Sequence, residues 1–100
     1  MPVLMLQTLP AGVPVEMLDA VTKEMNVEND PPNGLILHVH YEDDGRAQIH
    51  DVWDSEDDYT KFRDARLIPA MIKVAQRHGM QLEPPPDPVF IPVQGMVKGS

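Results

Sequence analysis

His38 and His40 are the residues of this chain whose type and spacing suit chemistry. They stand one residue apart in LILHVHY, and on a strand that spacing puts both imidazoles on one face. Two imidazoles in a partly dry cavity can work as acid and base near neutral pH. A carboxylate beside one ring would hold it in a single tautomer, ready to take a proton from an acidic carbon or a phenol.

Asp51 is the candidate carboxylate, and its position depends on the register of the next strand. If Asp44 and Gly45 make a two-residue turn, His38 faces Asp51, His40 faces Ile49 and Ile36 faces Trp53. One more loop residue, or a bulge, brings His50 and Val52 to that face instead. The first register gives the working assignment: His38 as base, Asp51 as its orienter, and His40, Trp53, Gln7 and Ile36 around the ligand. The competing reading makes the same histidines polar groups satisfied within a subunit interface, because structural networks also collect titratable side chains.

Other chemistry has less support. His38, His40 and Asp51 are ligand types that zinc or iron accepts, but no third ligand has a secure orientation, and no metal site is assigned. Glu42 to Asp44 is too short for a calcium loop and lacks its distal glutamate. No glycine-rich phosphate cradle and no serine elbow occurs, and no cofactor is expected. Trp53 suits stacking on a flat ligand and also plain core filling. Arg63 and Arg66 lie where they could reach an anionic substrate, although Asp57, Asp58 and Asp64 offer ordinary ion pairs.

The elements that must position these residues follow from patterning. Val3 to Leu9 is an apolar strand ended by Pro10 and Gly12. Met17, Leu18, Val21 and Met25 fall at helical spacing over residues 14–25. Pro31 and Pro32 exclude a helix from the next stretch. Gly34 opens the second strand, and the turn at Asp44 and Gly45 leads into a third over residues 47–53. Ser55 caps a second helix, Asp58 completes a capping box, and Glu56 to Asp58 sit where the helix dipole favours acid. Tyr59 and Phe62 start its apolar stripe. Pro69 is expected to break that helix in two, and Gly79 to end it. Pro84, Pro85 and Pro86 make a stiff connection, and Val89 to Val97 returns as a last strand, with Pro92 arguing for an edge or a bulge.

The order strand, helix, strand, strand, helix, strand is the split βαβ pattern of an α+β, ferredoxin-like domain with a four-stranded antiparallel sheet, taken to span residues 1–98. Two helices cover one sheet face. Leu35, Leu37, Val39 and Tyr41 are assigned to that face, which aims Ile36, His38 and His40 at the interior between two subunits. The uncovered face is too apolar for water, so a homodimer is expected.

Composition narrows the partners. With 100 residues and 42% hydrophobic content, the chain can build one modest core, which self-association would help. It has no cysteine, hence no disulfide, thiolate zinc site or cysteine nucleophile. A net charge of −8 repels phosphate backbones and anionic lipid, so neither nucleic acid nor membrane is an expected partner. The amino terminus lacks the basic region of a signal peptide, and no apolar run approaches a membrane span. A cytoplasmic protein is expected.

The segment DVWDSEDDYTKF, with FRDARLIPAM after it and PPNGLILHVHYEDDG before it, resembles the dimeric α/β-barrel superfamily that includes the antibiotic-biosynthesis monooxygenase-like proteins. The resemblance implies a ferredoxin-like fold, a homodimer and small-molecule binding. Its chemistries range from cofactor-free oxygenation to cyclase-like or isomerase-like reactions and to binding without catalysis. The haem-degrading branch uses an asparagine on the first strand, then a tryptophan and a histidine on the second helix. Registered on Trp53 and Ser55, those positions hold Gln7, Phe62 and Ile72, and none of the three fits.

Overall fold

A computed structural model describes residues 1–79 and 86–99. The elements are β1 (Val3–Thr8), α1 (Val15–Met25), β2 (Leu35–Asp43), β3 (Arg46–Trp53), α2 (Glu56–Phe62), α3 (Ile68–Arg77) and β4 (Val89–Pro92). The strands form one antiparallel sheet in the order β2-β3-β1-β4, which is the ferredoxin-like arrangement expected from the element order. Pro92 lies on an edge strand, where its missing amide costs no ladder bond. β4 stops there rather than running to Val97. Pro84 and Pro85 of the expected polyproline connection lie outside the described residues.

Local chemistry sets the element ends. Asp44 and Gly45 both have positive φ, 52° and 73°, as a two-residue primed hairpin turn requires. Asn26, at φ 55°, ends α1 in the left-handed region. Ser55 caps α2 by accepting the Asp58 amide at 3.1 Å, while its hydroxyl donates to Asp58 Oδ2 at 3.0 Å. That carboxylate lies under Gly34, where φ is +86° and an added Cβ would sit 2.5 Å from the Asp58 side chain.

The second helical region divides into two α-helical segments, as expected, with Pro69 in the first turn of the later one. The chain passes from α2 to α3 through one π-helical turn, Arg63–Leu67, closed by the Ile68 amide donating to the Arg63 carbonyl. Proline has no amide for the preceding turn, and widening that turn absorbs the missing bond without a loop between the segments. Arg66 projects from this turn and donates to the carbonyls of Met25 and Asp30 at 2.7 and 2.8 Å. It ties down the end of α1, so the expectation that it could reach an anionic substrate is corrected. Arg63 pairs with its neighbour Asp64 at 3.0 Å.

The helices cover one sheet face. Met5, Trp53 and Tyr59 form one buried cluster with Val3, Leu35, Ile49, Phe62 and Phe90 around it, and Val21, Ala70 and Val74 form a second between α1 and α3. The opposite face carries Leu37, Val39, Tyr41, Val89 and Ile91 exposed to solvent. This inverts the expected assignment of Leu37, Val39 and Tyr41, because the helices cover the face that carries Asp51 and Trp53, with which His38 and His40 are in register; a bulge brings Leu35 to the same face. Leu35 pairs with Trp53 while Leu37 pairs with Val52, which leaves Ile36 as the extra residue. Side-chain parity changes beyond such a bulge. Leu35 still faces the helices, but from there on His38 and His40 do so and Leu37, Val39 and Tyr41 do not.

Candidate functional site

Beyond the bulge the strands resume the register in which His38 pairs with Asp51 and His40 with Ile49. Both imidazoles therefore point under the helices of their own chain rather than across a subunit boundary. They line a cavity of about 60 Å³ together with Met5, Gln7, Trp53 and Tyr59. That volume holds roughly two waters by the ~30 Å³ each occupies in the liquid.

Five side chains make a continuous hydrogen-bonded chain across this site. Trp53 Nε1–H donates to Asp51 Oδ2 at 3.1 Å. The other carboxylate oxygen, Oδ1, lies 2.6 Å from His38 Nδ1. His38 Nε2 lies 2.8 Å from His40 Nδ1, and His40 Nε2 lies 2.7 Å from Asp19 Oδ1. The chain runs from a buried end to an exposed one: the Asp51 side chain is 6% exposed and Asp19 65%, with His38 at 29% and His40 at 17% between them. A buried carboxylate is tolerable where its oxygens accept charge-assisted bonds, and Asp51 has one on each oxygen.

The cavity floor is aromatic. The Trp53 ring packs against Tyr59 edge-on at 5.7 Å between centroids and against Phe62 at 5.2 Å. The Tyr59 hydroxyl is buried and has no hydrogen-bond partner among the described residues. Burial is the main reason its phenol titrates above the ordinary 10.0. The polar atom held in this apolar surrounding is a ready donor for a ligand oxygen. Gln7, also buried, donates from Nε2 to the Pro86 carbonyl at 2.5 Å.

Of the residues singled out in the sequence, His38, Asp51, His40, Trp53 and Gln7 meet at this cavity. Ile36 does not: it is half exposed at the bulge, so its expected place facing Trp53 in the cavity is corrected by the register shift. Asp19 and Tyr59 join the site without having been singled out for it. Asp19 sits on α1 beside Leu18, and its place depends on how α1 docks over β2, which no local pattern encodes. His50 lies on the open face, with the Tyr41 hydroxyl 3.0 Å from its Nε2. Among the described residues no three histidine, aspartate or glutamate side chains are grouped to hold a metal ion. Nor is any helix among them long and apolar enough to cross a membrane.

No family model matches the chain, and no curated protein matches it significantly. Solved structures do. A Mycobacterium tuberculosis protein, Rv0793, has 14% identity and a TM-score of 0.61, covering 98% of this chain and 100% of its own. SnoaB, a cofactor-independent oxygenase from Streptomyces nogalater, has 13% identity and a TM-score of 0.58 over 96% of each chain. ActVA-Orf6, a monooxygenase of Streptomyces coelicolor solved with nanaomycin D, has 19% identity and a TM-score of 0.56, covering 99% of this chain and 92% of its own. The chain has the fold of the antibiotic-biosynthesis monooxygenase-like proteins, in line with the resemblance read from DVWDSEDDYTKF.

Proposed function

From the fold shared with monooxygenases, we propose that this protein is a homodimeric, cofactor-independent enzyme of the monooxygenase-like or cyclase-like type, acting on a small apolar or aromatic metabolite. The observation that carries the reading is the His38–Asp51 pair at 2.6 Å on the wall of an aromatic cavity. Asp51 holds His38 with its N–H on Nδ1, which leaves the Nε2 lone pair to take a proton from an acidic carbon or a phenol. The electron-rich anion so formed is the species that reacts with dioxygen in an oxygenase, or with its own electrophilic carbon in a cyclase. Trp53 and Phe62 offer flat apolar surface to such a molecule, and the buried Tyr59 hydroxyl, without a partner among the described residues, offers a donor to its oxygen.

The dimer rests on the open sheet face. Leu37 is 55% exposed and Val89 58%, with Val39, Tyr41 and Ile91 beside them, a contiguous apolar surface of the kind that marks an interface. A second copy laid on it would complete the two-sheet barrel and leave each cavity inside its own protomer.

A second reading, ligand binding without turnover, is favoured by the small cavity volume, well below the ~300 Å³ at which ordinary ligand pockets begin. Oxygen uptake with hydroxylated polycyclic aromatics as probes separates the two. His38→Ala should abolish uptake while leaving the dimer folded; uptake at the original rate in that variant removes the base assignment. Tight binding of the same probes with no uptake by the parent protein establishes the second reading.

A further inference from the structure

The chain from Asp51 to Asp19 has one hydrogen bond more than two neutral imidazoles can supply. Three gaps separate its four groups: Asp51 to His38, His38 to His40, and His40 to Asp19, at 2.6, 2.8 and 2.7 Å. An ionised carboxylate only accepts. Asp51 therefore draws the His38 proton to Nδ1, and Asp19 draws the His40 proton to Nε2. With both rings neutral, the His38 Nε2 and His40 Nδ1 lone pairs face each other across the middle gap. Two acceptors at that separation repel, and one added proton turns the contact into a charge-assisted bond.

We propose that His38 and His40 form a proton-capturing pair that holds one proton between them, and that Asp19 is the positioning residue that makes it so. The catalytic consequence rests on the base assignment above. The repulsion between the two neutral rings lets them part, His38 Nε2 takes a proton from a substrate carbon or phenol, and closing the gap then shares that proton with His40 Nδ1; no bond forms or breaks other than the substrate's C–H or O–H and the new N–H. The proton leaves when His40 passes its Nε2 proton outward through Asp19. His40 and Asp19 are well placed for that step. Both line an open groove on the surface beside α1, and His40 also lines the inner cavity, so the ring bridges the two spaces.

Several charged and titratable groups surround the pair. Asp51 on β3 and Asp19 on α1 bond it directly. Lys23 on α1 and Glu28 after it line the same groove, and Tyr59 on α2 lines the cavity. The carboxylates at the two ends favour a cation between them, and Lys23 opposes it from solvent-exposed helix surface, where screening weakens it.

The test is a histidine-resolved nuclear magnetic resonance titration of the purified protein from about pH 8 to about pH 5, a range that brackets the ordinary imidazole midpoint near 6.5. In the parent protein the His38 and His40 ring signals should move together in one step that takes up one proton. In Asp19→Ala, His40 is free to place its proton on Nδ1 and bond His38 without an extra one. The shared step should then fall to lower pH. Asp19 is exposed, so this variant leaves the core intact. Separate steps for His38 and His40 taking up two protons, or a step unmoved by Asp19→Ala, overturns the proposal. The titration involves no substrate, so its failure is distinct from failure of the base assignment, which only turnover in His38→Ala addresses. Where turnover is measured, Asp19→Ala should lower kcat about tenfold with KM unchanged, and added imidazole should restore it.

Discussion

Replacing Asp51 by asparagine and by alanine should separate its chemical role from its structural one. In Asp51→Asn the amide carbonyl still accepts the Trp53 Nε1–H, and the amide N–H donates to His38 Nδ1. His38 must then carry its proton on Nε2, where it bonds His40 Nδ1, and His40 still donates to Asp19. Every gap is filled with both rings neutral, so stability should stay within about 1 kcal/mol of the parent. The Nε2 lone pair is gone, however, and with it the base. Loss of a positioned general base costs roughly 10²- to 10⁴-fold in rate. In Asp51→Ala the Trp53 N–H, in a residue only 1% exposed, loses its acceptor, at about 1–3 kcal/mol. His38 is more accessible and can turn to water, and removing a buried carboxylate offsets part of the loss. The net expectation is about 2 kcal/mol, a fall in Tm of roughly 8–16 °C for a domain of this size. Calorimetry at one fixed protein concentration measures it, since a dimer's Tm depends on concentration. Equal Tm values for the two variants, or full turnover in Asp51→Asn, would refute the reasoning.

Three further outcomes are expected. Gly34→Ala combines a left-handed backbone with a Cβ driven into the Asp58 side chain that bonds the cap hydroxyl of α2, and should cost roughly 2–3 kcal/mol from about 1–2 for the conformation and about 1 for the cap; urea unfolding reads it, and a loss below half that value contradicts the close approach. Tyr59→Phe removes a buried hydroxyl that has no partner among the described residues and should leave stability equal or slightly higher. Because burial holds the folded phenol above 10.0, the unfolded chain ionises first, so the parent protein loses stability as pH rises past about 10 while Tyr59→Phe loses less; parallel alkaline melting curves for the two would count against that burial. Val39→Asp puts a charge on the open sheet face at its β2 edge and should shift sedimentation to the monomer without touching the cavity, whereas an unchanged dimer would place the interface elsewhere.

Much of this architecture is legible from local signals. The Asp44–Gly45 turn and the Ser55 cap are each dictated by side chains within a few residues, and the element order then leaves the ferredoxin-like sheet as the natural arrangement. The pairing of His38 with Asp51 follows from the hairpin turn alone. Three things do not. The bulge at Ile36 is a competition between two faces that are both apolar enough to be buried, so alternation in LILHVHY fits either choice. The π-helical turn that joins the two helical segments ahead of Pro69 depends on tertiary packing that makes a widened turn cheaper than a loop. Asp19 and Tyr59 reach the site through docking of α1 and α2 on the sheet, where a polar position on a helix wheel and an apolar one give no hint of a shared destination.

The extra residue at Ile36 has a bearing on which length changes this strand can survive. Deleting it would leave Leu35 opposite Trp53 and Leu37 opposite Val52 in an unbroken ladder, with both imidazoles still turned inward. A single lost codon there would straighten the strand without exchanging its two faces, and two residues added beyond Asp44 would merely lengthen a solvated tip. Variants differing in length should therefore be viable at both places.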